Sequence, residues 1–238
     1  MDEVCIIGAG PAGLAAAVAL KDRGIPFRIL DAGPAPGGIW DMDRPDTPMY
    51  ASAHFISSRT LSGFRGFPMP QDYPDYPRHD RILAYIRDYA RHHGLEAHAT
   101  FGVRATRARP VEGGAEGGDA AAPAWEVEWE PASPAAAAGH ARFSALVVAT
   151  GVTWHPNVPE IPGEFTGEIR HSVTYRSPDE LRGRRVLIVG GGNSAVDIAC
   201  DAARAAAAAF ISLRRGYHFV PKYVFGIPAD VFAHSGPH

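Results

Sequence analysis

Apolar residues in this chain gather into short runs bounded by glycine, proline and charge. Val4-Cys5-Ile6-Ile7, Phe27-Arg28-Ile29-Leu30, Phe143 to Ala149, Val186-Leu187-Ile188-Val189 and Ala208 to Leu213 predict strands, most of them covered on both faces. Leu14 to Lys21 and Ser194 to Ala209 are alanine-rich and predict helices. Ile82, Ile86, Tyr89 and Ala90 fall near one face of a helix over Arg81 to Ala90, and Gly94 stands where a C-terminal cap belongs. Ala97 to Val103 is compatible with a strand. Trp125-Glu126-Val127-Glu128-Trp129 alternates with period two and predicts a hairpin strand. Asp31 to Pro77 has no period, and its aromatics and methionines predict a packed loop. Arg109 to Ala124 and Pro131 to Gly139 are low-complexity linkers.

Two of the strand–helix junctions share one signature. Gly8-Ala9-Gly10-Pro11-Ala12-Gly13 follows the first strand, and Gly190-Gly191-Gly192-Asn193-Ser194-Ala195 follows the strand at 186–189. The first glycine of such a turn permits the sharp reversal. The second lets backbone approach a pyrophosphate, and the third, small position lets helix pack on strand. Phosphates then meet the N–H groups and the positive dipole end of a helix. Two such turns predict an α/β fold of two Rossmann-like dinucleotide-binding units, and two dinucleotides imply electron transfer between them.

The residues downstream separate the ligands. The strand at 27–30 ends at Asp31, about 20 residues past the glycines, where a carboxylate bonds ribose hydroxyls and repels a 2′-phosphate. The strand at 208–213 ends at Arg214-Arg215, which suits a 2′-phosphate. The first site is expected to take FAD and the second NADPH. The expected domains are an FAD-binding domain over 1–160, with a β-hairpin insertion around 104–145, and a partial NADPH-binding domain over 161–238.

Composition narrows the classes. Of 238 residues, 46% are hydrophobic, and 23 basic against 26 acidic side chains give a net charge of −3. There is no basic excess for nucleic acid, and no apolar run approaches the ~18 residues of a membrane span. The apolar start carries Asp2 and Glu3 rather than the basic residues of a signal peptide. Cys5 and Cys200 make neither a disulfide framework nor a metal spacing, so no metal is expected and a reducing cytoplasm is the simplest location.

At this level of detail the chain resembles the flavin-containing monooxygenases. The resemblance rests on the first glycine turn with Asp31 and Gly37-Gly38-Ile39-Trp40, on Phe67-Pro68-Met69-Pro70 with Tyr73 to Pro77, and on Val148-Ala149-Thr150-Gly151. It rests further on Phe165, Gly167, His171 and Tyr175 in the spacing F-x-G-x-x-x-H-x-x-x-Y, and on Gly190 to Asp197 with Ser212 to Arg215. It implies NADPH- and FAD-dependent use of O2 on a small-molecule substrate. The tyrosine ending of the identifying motif favours nitrogen or sulfur oxygenation over the Baeyer–Villiger reaction. It also implies that Gly8, Gly10, Pro11, Ala12 and Gly13 hold the FAD pyrophosphate, that Asp31 takes the ribose and that Gly38, Ile39 and Trp40 lie near the flavin. Val103 would meet the adenine through its backbone, and Gly151 would end the linker motif. Gly190, Gly192, Asn193, Ser194, Ala195, Val196, Asp197, Arg214 and Arg215 would hold NADPH. His171 and Tyr175 would shape an interdomain region or simply form a hydrogen-bonded hinge. The resemblance supplies no catalytic side chain.

Two departures shape the expectations. Where the family commonly has an asparagine close to the flavin, this chain has Ile56, followed by Ser57-Ser58-Arg59. Isoleucine has no donor or acceptor. An NADPH oxidase that releases H2O2 is therefore a competing reading. Only 43 residues follow Ala195 (238 − 195), which predicts a truncated second unit with an open sheet edge and uncovered apolar surface. A non-catalytic FAD-binding fragment is the third reading.

Overall fold

The computed structural model describes residues 3–111 and 124–234. The chain divides into two compact units, one of residues 1–39 with 83–152 and the other of 40–82 with 153–238. The long segment after Trp40, expected in the first domain, groups with the second unit.

The first unit opens with β1 (Val4–Ile7), α1 (Pro11–Lys21) and β2 (Phe27–Asp31). A 3-10 turn over Gly38–Trp40 leads out of it, and the chain returns in α2 (His79–His92), which begins in the second unit. Ile82, Ile86, Tyr89 and Ala90 are buried, as the helical period requires. Gly94, at φ 62°, then turns the chain into a second 3-10 turn, Leu95–His98. β3 (Ala99–Phe101), β4 (Val103–Val111), β5 (Ala124–Pro131), β6 (Gly139–Phe143) and β7 (Ala145–Val148) follow.

β1, β2, β3 and β7 form a parallel sheet in the order β3-β2-β1-β7. β4, β5 and β6 form an antiparallel meander. The sheet and the meander share one apolar core of Cys5, Leu30, Val103, Val127 and Phe143. Burial there pushes the Cys5 thiol up to about 12, so it stays protonated and serves as a small core residue.

The second unit carries two capped 3-10 turns, Ser172–Thr174 and Pro178–Leu181, before β8 (Arg185–Val189), α3 (Asn193–Ala205) and β9 (Ala208–Ser212). β8 and β9 pair in parallel as a two-stranded sheet, with Arg185 opposite Ala208. β10 (Tyr223–Val224) and β11 (Ile227–Pro228) make a short hairpin, and α4 (Ala229–His234) follows. Leu187, Val189, Phe210 and Ile211 are exposed on β8 and β9.

Several boundaries differ from expectation. The helix after the second glycine turn ends at Ala205, because Ala208 is drawn into pairing with β8. The strand expected over Phe143 to Ala149 is two strands divided at Ser144, whose N–H bonds the Glu3 carbonyl. The stretch from Ala97 to Val103 begins inside a 3-10 turn, holds the three residues of β3, and reaches the start of β4 at Val103. The linker expected from Arg109 is strand as far as Val111, and the rest of it, 112–123, lies outside the described residues. The aperiodic end holds α4 up to His234.

Candidate functional site: two glycine turns

In the first turn, position by position, the glycines answer different demands. Gly8 has φ 113°, and a Cβ there would fall 2.3 Å from the Ala149 carbonyl oxygen. A Cβ on Gly13 would fall 1.9 Å from the Gly8 oxygen. The fold itself forbids a side chain at both. Gly10 is different. As the N-cap of α1 it has φ −78°, open to any residue, and its Cβ would meet only the Gly38 Cα at 3.7 Å, an ordinary contact. Gly38, at φ 59°, faces it from the next glycine pair, and Gly37 donates to the Ala9 carbonyl at 3.2 Å. Pro11 and Ala12 start α1, and no side chain caps that helix.

Asp31 is buried at the end of β2, where it braces the turn. One carboxylate oxygen accepts from the Ala9 N–H at 2.6 Å and the other from the Gly33 N–H at 2.6 Å. The side chain of Val103 lies in the core, so only its backbone is left for a ligand. Ile39 is half-buried in the 3-10 turn, and Gly151, at φ 78°, is exposed just beyond β7. Trp40 belongs to the second unit, where its ring meets Phe55 edge-on at 5.1 Å.

The second turn repeats the pattern. Gly190 has φ 124°, Gly192 is the N-cap of α3 with nothing within 4 Å of its would-be Cβ, and Ala195 takes the third, small position beside Gly190. Gly191, between them, lies under the Tyr217 ring, 2.7 Å from where a Cβ would stand. Asn193 is exposed, and Val196 is half-buried on the first turn of α3. Arg214 and Arg215 are exposed just past the end of β9.

Asp197, expected to hold a ligand, has a protein partner in the structure. It accepts the Tyr50 hydroxyl at 2.8 Å. One helical turn on, the buried carboxylate of Asp201 accepts the Ser52 hydroxyl at 2.5 Å and the Tyr175 hydroxyl at 2.9 Å. Burial, with the bond to Asp197, pushes the Tyr50 phenol far above its usual range. Ser194 in the glycine turn is also within hydrogen-bonding reach and pulls the other way. Tyr175 is pushed up in the same manner by burial and its bond to Asp201. Sequence reading missed Tyr50, Ser52 and Asp201; the one available signal was the i, i+4 spacing of the two aspartates on a helix face.

The identifying motif turns out to be a set of local fasteners. Phe165 lies over Gly167, where a Cβ would fall 2.5 Å from its ring. His171 caps a 3-10 turn by accepting the Val173 N–H at its Nδ1, 3.1 Å away. Tyr175 reaches Asp201.

Ile56 is 67% exposed. The Ser57 hydroxyl is paired with that of Ser62 at 2.7 Å, and Ser58 is fully buried with its N–H on Asp230 at 2.6 Å. An open depression of about 560 Å³ on the meander is lined by Glu126, Glu128, Glu130 and His140 among others. The strand register sets those glutamates opposite Arg109, Arg107 and Arg104, so it reads as a solvated ladder of charge.

Two strand–glycine turn–helix junctions, each with a bare N-cap glycine, define a protein of the dinucleotide-binding α/β class. The flavin-binding monooxygenase-like family model matches residues 1–236, and the chain belongs to that family. It is 34% identical over 224 residues to the indole-3-pyruvate monooxygenase YUCCA1 of Oryza sativa subsp. japonica, which covers 93% of this chain and 50% of that protein. It is 33% identical over 224 residues to the N-oxide-forming dimethylaniline monooxygenase 4 of Rattus norvegicus, covering 90% of this chain and 38% of that one. Among solved structures, the S-allyl-L-cysteine S-oxygenase from Allium sativum superposes with a TM-score of 0.79 at 29% identity, covering 95% of this chain and 54% of that one. The chain spans about half the length of the curated relatives it matches.

Proposed function

We propose that this chain is the FAD- and NADPH-binding portion of a flavin monooxygenase that oxygenates nitrogen or sulfur in a small molecule. The observation that carries the reading is Gly10. The fold has room for a side chain there, so its glycine is explained by a ligand that approaches the backbone. Gly8, Gly10, Pro11, Ala12 and Gly13 would hold the FAD pyrophosphate at the N-terminus of α1, with Gly38, Ile39 and the backbone of Val103 around it. Asp31 braces that turn at the position where a carboxylate meets ribose hydroxyls. Gly190, Gly192, Asn193, Ser194, Ala195 and Val196 would hold the NADPH pyrophosphate, and Arg214 and Arg215 its 2′-phosphate. FAD, when bound, supplies the two-electron chemistry between NADPH and O2. The names of the nitrogen- and sulfur-oxygenating relatives support the substrate class. No helix among the described residues is long and apolar enough to cross a membrane. The exposed thiol of Cys200 suits the reducing cytoplasm we propose as its location.

A preference for NADPH over NADH tests the assignment of the second turn. A charge-assisted hydrogen bond is worth about 1.5–3 kcal/mol, or roughly tenfold to a hundredfold in affinity. Arg214→Ala should weaken NADPH by that factor in an equilibrium titration and leave NADH nearly unchanged. Equal losses for the two would remove the 2′-phosphate role.

A second reading, an oxidase that releases H2O2, is favoured by one specific observation. Ile56 offers no hydrogen bond, and its neighbours Ser57 and Ser58 are engaged or buried.

A further inference from the structure

α3 carries the second glycine turn at its N-terminus, and two carboxylates project from it four residues apart. At about 1.5 Å of rise per residue, Asp197 and Asp201 lie about 6 and 12 Å along the axis from Asn193. Neither is paired with a cation in the structure as described. Instead each is held by hydroxyl donors from segments distant in sequence: Tyr50 on Asp197, and Ser52 with Tyr175 on Asp201.

Those donors are themselves fixed. The Ala51 N–H bonds the Arg176 carbonyl at 2.8 Å, and the Tyr50 and Tyr175 rings lie 5.7 Å apart. Tyr175 stands between two capped turns, one closed by His171 and the other by the reciprocal Ser177–Glu180 capping box. Tyr50, Tyr175 and Asp201 are all more than nine-tenths buried. Two segments distant in sequence therefore converge on the helix that presents the turn.

We propose that Asp197 and Asp201 are positioning residues, clamped by Tyr50, Ser52 and Tyr175 so that α3 presents its glycine turn in the pose that receives a dinucleotide pyrophosphate. This rests on the reading that the second turn takes a reduced nicotinamide dinucleotide. The charge pattern fits the assignment. Two carboxylates near a phosphate site would weaken it, and hydroxyl donors take up their charge locally without adding a competing cation. The clamp also explains why a tyrosine closes the identifying motif. Its ring lies tilted against that of Tyr50, and its hydroxyl reaches the helix that holds the turn.

The test is a binding titration of the FAD-loaded chain with NADPH and with NADH. The proteins compared are the parent, Tyr175→Phe, Asp201→Asn, Asp201→Ala and Arg214→Ala. Tyr175→Phe removes one hydroxyl and leaves the ring in place. It should weaken both dinucleotides equally, by about threefold to tenfold, with flavin content unchanged. Asp201→Asn, which still accepts the hydroxyls, should keep more affinity than Asp201→Ala. Hydrogen exchange of the backbone amides at 193–196 should quicken in Tyr175→Phe without any cofactor present. A purely architectural contact would lower the thermal midpoint and leave both dissociation constants unchanged, which would overturn the proposal. A loss confined to NADPH, as expected for Arg214→Ala, would overturn it too. A parent that binds neither dinucleotide would overturn the cofactor reading and this inference with it.

Discussion

Gly10→Ala is expected to leave the chain folded and to empty it of flavin. The prediction follows from an inequality among three glycines of one turn. At Gly8, alanine meets a backbone with φ 113° and a carbonyl oxygen 2.3 Å from the new methyl. At Gly13 the methyl would lie 1.9 Å from another carbonyl oxygen. A strained backbone conformation costs about 1–3 kcal/mol and overpacking about as much again, so both variants should lose stability together with flavin. At Gly10 the new methyl has only an ordinary contact with Gly38, and the helix loses at most the small N-cap preference of glycine over alanine, about 1 kcal/mol. Its thermal midpoint without cofactor should stay close to the parent's. Its flavin-to-protein absorbance ratio after desalting should fall at least about tenfold, since the methyl stands where the pyrophosphate must approach. Gly10→Asp would add a repelling charge at the same place. Flavin retained at parental levels in Gly10→Ala would move the site elsewhere.

Electrons delivered by NADPH are expected to leave largely as H2O2, even with a good amine or sulfide present. Efficient oxygen transfer needs water excluded and a hydrogen-bond partner near the reacting oxygen. Ile56 is exposed and has no polar atom, the Ser57 hydroxyl is spent on Ser62, and Ser58 is fully buried. A side chain without a polar atom cannot take the part the asparagine has in the resembling family. Ile56→Asn restores an amide, and a single added hydrogen bond of about 1 kcal/mol should shift the partition toward product several-fold. Measuring NADPH consumed, H2O2 formed and substrate oxygenated in one reaction decides it. A parent in which nearly all NADPH yields product would show that another residue protects the reaction.

Legibility in the sequence tracked the range of the interactions involved. β1, α1 and β2 were readable because strand, glycine turn and helix are consecutive, and each residue's reason is local. The end of α3 was not. Ala205 to Ala209 carries no stop signal, and what ends the helix is the pairing of Ala208 with Arg185 on another strand. The split at Ser144 likewise depends on a bond to Glu3, far away in the chain. The segment after Trp40 gave no period because its order comes from contacts such as Tyr50 with Asp197 and Ser52 with Asp201, which span 147 and 149 residues. That same distance hides the Tyr50 partner of Asp197 from the sequence. Motif spacing places it near a phosphate, and only the fold brings Tyr50 to it.

One chain is proposed to hold FAD at its first glycine turn and to receive electrons from NADPH at its second. The most direct test is the visible spectrum of the purified, FAD-loaded chain, mixed with NADPH in the absence of oxygen. A yellow protein is expected, whose flavin absorbance bleaches with NADPH, much faster than with NADH, and returns on admitting air. A chain that takes up no FAD, or whose bound FAD stays oxidised in excess NADPH, would contradict it.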